Sequence, residues 1–181
     1  MKFEFNKNDI KHWAQKYEDC YAPDDKSTEE RLKNILKRQR YLTQNNLCDV
    51  LNWKSPRIRS YAKKNAPLII AKITRNSFGT EDERSRIESL LGQKGGLKGV
   101  GYPVASTILH FAFPDKYPIM DFRVIRSLEM DQPSSYNFVF WENYCKTIRS
   151  LSKKQRLSIR VVEKALWKFD KEQYSRFNKC D

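Results

Sequence analysis

Asp121 is the carboxylate whose setting in this sequence best suits chemistry. The chain around it reads Lys116-Tyr117-Pro118-Ile119-Met120-Asp121-Phe122-Arg123-Val124-Ile125-Arg126. Pro118 argues for an extended approach. Asp121 then stands where an N-cap would stand, before an apolar helical run of Phe122, Val124, Ile125 and Leu128. Aspartate is common at that position simply as a cap. The two uses are compatible, because a cap holds the carboxylate still. A fixed carboxylate can stabilise a developing cation, or orient and deprotonate a water.

The second informative stretch lies upstream, Leu97-Lys98-Gly99-Val100-Gly101-Tyr102-Pro103-Val104-Ala105-Ser106. Two glycines bracket a valine between two predicted helices. Pro103 fits the first helical position, where a missing N–H costs nothing. Glycine permits positive φ and close backbone approach. Exposed amides at a helix start attract anions. The product is a tight hairpin, about residues 92–103, able to hold a phosphate, with Lys94 and Lys98 adding charge. By itself Gly-x-Gly is more often an ordinary helix–helix turn.

Together the two stretches resemble the helix–hairpin–helix superfamily of DNA glycosylases, which includes the endonuclease III and mismatch-adenine glycosylase families. Leu97, Gly99, Val100, Gly101, Ala105, Pro118, Ile119, Asp121 and Val124 fall in register with that signature, and the separation of Gly101 from Asp121 is the family's. The close match covers roughly residues 97–128. The resemblance implies Asp121 as the catalytic carboxylate. It implies DNA contacts from Lys94, Lys98, Gly99, Val100, Gly101, Tyr102 and Arg123, the last at a position that contacts phosphate in related enzymes. The sequence departs from the pattern at two places. Lys98 replaces the proline before Gly-Val-Gly, and Pro103 stands where bifunctional members carry a Schiff-base lysine. A monofunctional enzyme is therefore expected. Only Cys145 and Cys180 follow the catalytic region, so the four-cysteine iron–sulfur cluster of many members is not expected. A monovalent cation at the hairpin is compatible with the family.

Trp53-Lys54-Ser55-Pro56-Arg57 joins an aromatic to two cations at a helix break. Trp53 and Arg57 are candidates for the base pocket or for a wedge into the gap left by a flipped base. The plainer alternative packs Trp53 in the core and leaves the cations solvated. Tyr102 could stack or lie at the surface. Trp141, Tyr144 and Trp167 fall at core spacing.

The elements that must position these residues read as helices nearly throughout. One carries Ile10, Trp13, Ala14 and Tyr17 at helical spacing. A turn over residues 22–27 leads to a helix capped by Thr28, with Leu32, Ile35 and Leu36 on one face. Further helices are expected over 44–51, 57–75, 82–93, 103–113, 121–130, 136–150 and 153–168. Loops are expected at 76–80 and 131–135. Residues 2–5 could form a weak strand, and the C-terminal residues a further short helix. The fold class is all-α, as one helical domain or two small lobes with the active site between them.

The chain has 181 residues, and its charge is 35 − 22 = +13. Such a surplus favours a polyanionic partner. Double-stranded DNA is the partner that suits the hairpin, while RNA or an anionic membrane surface would suit the charge alone. No apolar run approaches the ~18 residues that span a bilayer, and the N-terminus lacks a secretory apolar region. A soluble, intracellular protein is expected. Cys20, Cys48, Cys145 and Cys180 form no Cys-x-x-Cys pair, and His12 and His110 stand apart. Reduced, mostly buried thiols and no metal are expected. The implied activity is excision of a damaged or modified base, in base-excision repair or in defence against phage DNA with modified bases. A non-catalytic hairpin DNA-binding protein, or a structural or RNA-binding helical protein, is the alternative.

Overall fold

Prolines and short polar side chains decide where the helices begin. The computed structural model describes residues 6–177, with side chains through Gln173. α1 spans Lys7–Glu18 and starts at Asn6, whose Oδ1 accepts from Asp9 N at 2.8 Å. α2 spans Pro23–Gln39, α3 Gln44–Lys54, α4 Pro67–Gly79 and α5 Glu83–Glu88. α6 spans Tyr102–Ala112, α7 Phe122–Ser127, α8 Phe138–Gln155 and α9 Ile159–Phe177. Two 3-10 helices, Pro56–Lys64 and Gly92–Lys94, stand between them. Among the described residues there is no strand, only an isolated bridge between Leu91 and Leu97. The chain is all-α.

Several boundaries differ from the sequence expectation. α2 begins at Pro23, not after Thr28, because proline fits the first helical position and no side-chain cap is required. The helix expected over 57–75 is two elements. Pro67 pushes Ala66 out of the helical region, to φ −64 and ψ 138, and so separates the 3-10 helix from α4. α4 then continues through the expected loop to Gly79. Ser77 and Phe78 are buried there, and Ser77 Oγ donates to the Arg86 carbonyl at 2.7 Å. The helix expected over 82–93 stops at Glu88. α8 runs on to Gln155 and is ended by Arg156 at φ 53, a left-handed residue that turns the chain. α9 continues well past residue 168, so no separate short helix follows it within the described residues. The strand considered at residues 2–5 lies outside the described residues, as does Cys180.

The helices fall into two compact units. One is Ala22–Tyr117 and holds α2 to α6. Its core contains Leu32, Leu36, Leu47, Leu51, Ile70, Ile87, Ile108 and Phe111, all fully buried. The other joins the residues up to Tyr21 with those from Pro118 onward. In it the Trp13 ring of α1 meets Phe169 of α9 edge-on at 5.3 Å. Lys164 and Glu18 make an ion pair at 2.5 Å, and Lys16 and Glu172 one at 3.2 Å. Val124, Trp141, Tyr144, Ile148, Val162 and Leu166 complete that core.

Candidate functional site

The hairpin belongs to the unit Ala22–Tyr117 and is built almost entirely from backbone. Gly92 N donates to Val100 O at 2.9 Å, Leu97 N to Leu90 O at 3.0 Å, and Val100 N to Leu97 O at 3.1 Å. Asn65 clamps it from outside. Its Oδ1 accepts from Lys98 N at 2.8 Å, and its Nδ2 donates to Lys98 O at 3.1 Å and to Tyr61 O at 2.8 Å. Sequence reasoning missed Asn65. A polar residue just ahead of Pro67 was the only signal.

The two glycines differ in kind. Gly99 sits at φ 84, and a Cβ there would lie 2.5 Å from Tyr61 Cβ. The fold itself demands glycine at that position. Gly101 sits at φ −104, and a Cβ there would meet nothing nearer than Pro103 at 4.0 Å. Nothing internal demands glycine at Gly101. Among the described residues the N–H groups of Gly99 and Gly101 donate no hydrogen bond, and no side chain caps α6. Gly101 is exposed. This leaves two unbonded amides at the start of an 11-residue helix, in a turn that is partly exposed at Gly99 and exposed at Gly101, a setting that suits an anion.

The neighbours divide accordingly. Lys98 is exposed, and Lys94 is exposed and 4.0 Å from Glu88. Such a surface pair holds little energy. Val100 and Tyr102 are buried, so they anchor the hairpin and offer no exposed contact surface of their own. The surface alternative for Tyr102 does not hold, and burial raises its phenol above the ordinary value. The carbonyls of Leu97, Lys98 and Val100 each accept an internal hydrogen bond.

Asp121 belongs to the other unit. Its approach, Pro118 to Met120, is without regular secondary structure and buried. Both backbone groups of Ile119 are satisfied by side chains. Tyr144 Oη of α8 donates to its carbonyl at 2.7 Å, and its N–H donates to the Glu163 carboxylate of α9. Asp121 itself is extended, at φ −143 and ψ 139, and its Oδ1 accepts from Arg123 N at 3.1 Å. It is the N-cap of α7, and its side chain is partly exposed. A carboxylate so held has little freedom and keeps access to the outside. Its charge is felt nearby. Burial, then the charges of Glu163 and Asp121, hold the Tyr144 phenol well above its ordinary value. Burial raises Tyr136 as well, and Asp121 adds to that. Tyr144 and Glu163, which hold this arm in place, carried no local motif that would have singled them out.

Arg123 is tied inward. Its Nη1 lies 3.1 Å from Asp170 Oδ2, and Arg126 meets the same carboxylate through Nε and Nη2, both at 2.6 Å. Asp170 is buried, whereas the side chains of Arg123 and Arg126 are 26% and 34% exposed. Both guanidinium groups therefore keep a solvent-facing part. Trp167 is not core. It is partly exposed, with the Arg123 guanidinium over its ring at 5.6 Å. Trp141 and Tyr144 are fully buried. Trp53 is half-buried, meets the Phe111 ring edge-on at 5.2 Å, and donates Nε1 to Asp25 O at 3.1 Å. Arg57 is exposed on the first 3-10 helix. The thiols are not mostly buried: Cys145 is, Cys48 is intermediate and Cys20 is exposed.

Neither protein-family models, curated proteins nor solved structures match this chain. Among the described residues no group of three or more His, Cys, Asp or Glu side chains could hold a metal ion, and no helix is long and apolar enough to cross a membrane.

Proposed function

We propose that this protein is a monofunctional DNA glycosylase with Asp121 as its catalytic carboxylate. The observation that carries the reading is the setting of Asp121. It is fixed as a helix cap at the end of a buried, hydrogen-bonded arm, yet partly exposed. It also follows the Gly-Val-Gly hairpin at the spacing of the glycosylases the sequence resembles. The net charge of +13 suits a phosphate polymer.

The chemistry follows from those parts. The hairpin amides of Gly99 and Gly101 grip a backbone phosphate, with Lys94 and Lys98 adding attraction. The target nucleotide is extruded from the stack, because its glycosidic bond is unreachable within the duplex. The C1′–N bond breaks with its electron pair leaving on the base. Positive charge builds on the sugar, and Asp121 stabilises it electrostatically. Water adds its oxygen to C1′ and gives up a proton, first to Asp121 and in the end to the departed base, so that the net reaction is hydrolysis and the carboxylate is regenerated. The products are a free base and an abasic site. Pro103 has no amine for a Schiff base, so the strand stays intact.

The test incubates the protein with duplexes carrying alkylated, deaminated or mismatched bases, and with hypermodified phage DNA, and then treats them with alkali. Breaks that need alkali, appear with one DNA and vanish with Asp121→Asn support the reading and name the base. Release confined to hypermodified DNA favours a defence role, and release from host-type lesions favours repair. Binding by both proteins with no release from any DNA favours a non-catalytic binding module. The capping bond of Asp121 would suffice to explain the residue in that case.

A further inference from the structure

Arg86 of α5 is 6% exposed, yet among the described residues no carboxylate answers its charge. Its Nη1 donates to Tyr117 Oη at 3.1 Å, and its Nη2 donates to the Thr80 carbonyl. Both acceptors are neutral. Its Nε is buried and has no acceptor among the described residues. The rest of its surroundings is aromatic. The guanidinium stands 4.8 Å from the centre of the Phe113 ring and 5.7 Å from that of Tyr117. Ring faces and neutral oxygens offset only part of the cost of taking a charge out of water. A buried donor that the fold does not satisfy points to an acceptor supplied from outside.

Arg40 shares the Phe113 ring. Its guanidinium lies 5.3 Å from the ring centre and is exposed, and among the described residues it makes no ion pair and no side-chain hydrogen bond. Two like charges on one ring repel, and an anion beside them turns that repulsion into attraction. Lys116, on the Tyr117 ring, shows the contrast, because it has Glu83 at 3.7 Å. The surroundings are positive as well. Arg75 is exposed and lies over the Tyr41 ring at 4.7 Å, and residues 31–48 hold five cations and no acidic residue. Cations in the last turn of α2 suit the helix dipole, which accounts for Lys37 and Arg38. It does not account for Arg86, buried on a different helix. The frame is rigid. Leu42 N donates to Thr74 Oγ1 at 2.9 Å, which docks the turn after Arg40 on α4. Phe113 caps α6 and meets the buried Phe78 ring edge-on at 5.8 Å. All of these residues belong to the unit Ala22–Tyr117.

We infer that Arg40 and Arg86 form a phosphate-binding site at the Phe113 end of α6. Arg40 touches the anion, and its planar fork matches two phosphate oxygens. Arg86 lies behind it as a fixed charge that water screens poorly. The hairpin stands at the other end of the same helix, about 18 Å away along its axis. The phosphate bound here is therefore not the one the hairpin would hold, and the inference does not rest on the glycosylase reading. The phosphate comes either from a free phosphate ester or from the DNA backbone, and the chemistry of recognition is the same.

The test follows thermal unfolding of the full chain while sodium phosphate replaces sodium chloride at constant ionic strength. The variants are Arg40→Ala, which removes an exposed side chain, and Lys63→Ala, which removes an exposed cation elsewhere in the same unit. All three proteins should melt alike in chloride. The expected result is a rise of about 3 °C or more in phosphate for the wild type and Lys63→Ala, and less than about a third of it for Arg40→Ala. An equal rise in Arg40→Ala overturns the inference, as does no rise in the wild type. Salt-dependent binding of a labelled duplex then tells the sources apart. A slope of log K against log salt that is shallower by about one in Arg40→Ala assigns the site to a DNA phosphate. An unchanged slope beside the lost phosphate shift assigns it to a free phosphate ester. A protein that shows the shift and releases no base keeps this site and loses the glycosylase reading.

Discussion

The Tyr144 hydroxyl donates at 2.7 Å to the carbonyl oxygen of Ile119, two residues before Asp121. Both residues are buried, so water cannot replace the bond when the hydroxyl is removed. Tyr144→Phe should therefore cost about 1–3 kcal/mol in urea unfolding, the penalty of a buried carbonyl left without a donor. It should also slow base release more than it weakens DNA binding, because it loosens the arm rather than the hairpin. An unchanged unfolding midpoint would show that the bond does not hold the arm.

The same phenol sets an alkaline limit. Its folded pKa lies well above the ordinary 10.0, first through burial and then through the charges of Glu163 and Asp121. The unfolded chain loses this proton near 10.0 while the folded chain retains it. The contribution is thus fully present below pH 10 and lost as pH rises beyond it. Stability followed by urea titration from pH 8 to 11 should fall above about 10, and Tyr144→Phe should fall less steeply. Parallel curves for the two proteins would contradict this.

The hairpin glycines should separate stability from binding. Gly99→Ala places a Cβ 2.5 Å from Tyr61 Cβ at φ 84, and the left-handed backbone alone costs roughly 1–2 kcal/mol. A lowered melting temperature is expected. Gly101→Ala meets nothing closer than 4.0 Å and should melt like the wild type, yet bind duplex DNA more weakly, because it adds a methyl group next to the unbonded amides. Undiminished binding by Gly101→Ala would remove the hairpin from the interface.

Asp170 restrains two cations that face outward. Asp170→Asn should cost about 1–3 kcal/mol of stability, less than a fully buried network would, because both arginines are partly hydrated. It also leaves Arg123 and Arg126 without that counter-charge. Affinity for duplex DNA should rise at low salt, and the slope of log K against log salt should steepen. A weaker or salt-insensitive complex would place this face away from DNA.

Asp121→Asn should keep the helix cap, since asparagine caps about as well as aspartate. Base release should fall by about 10²-fold or more, the usual contribution of a positioned acid–base group. Circular dichroism melting within a degree or two of wild type, measured beside the alkali-cleavage assay, would separate the lost charge from lost structure. Full activity in Asp121→Asn would exclude it as the catalytic carboxylate.

Local chemistry carried much of this molecule. The all-α class followed from helical spacing, and Asp121 as an N-cap followed from Pro118 and the apolar run after it. Sequence reasoning went astray at several helix boundaries, for different reasons. It overlooked the boundary that Pro67 imposes, and it read Ser77 and Phe78 as loop residues, whereas burial holds them in α4. It ended α8 early, because the left-handed turn at Arg156 leaves no mark in residue type.

What the sequence by itself determined is the set of parts: a basic helical chain, a glycine hairpin and a capping aspartate. The tertiary structure decided which side chains support them. Asn65 clamps Lys98, Tyr144 and Glu163 hold Ile119, Asp170 gathers two arginines, and Trp53 is packed. Hydrogen-bond partners 33 to 47 residues apart, such as Lys98 with Asn65 and Arg123 with Asp170, leave no local periodicity. Their pairing is set by how helices pack, and packing is a property of the folded chain alone.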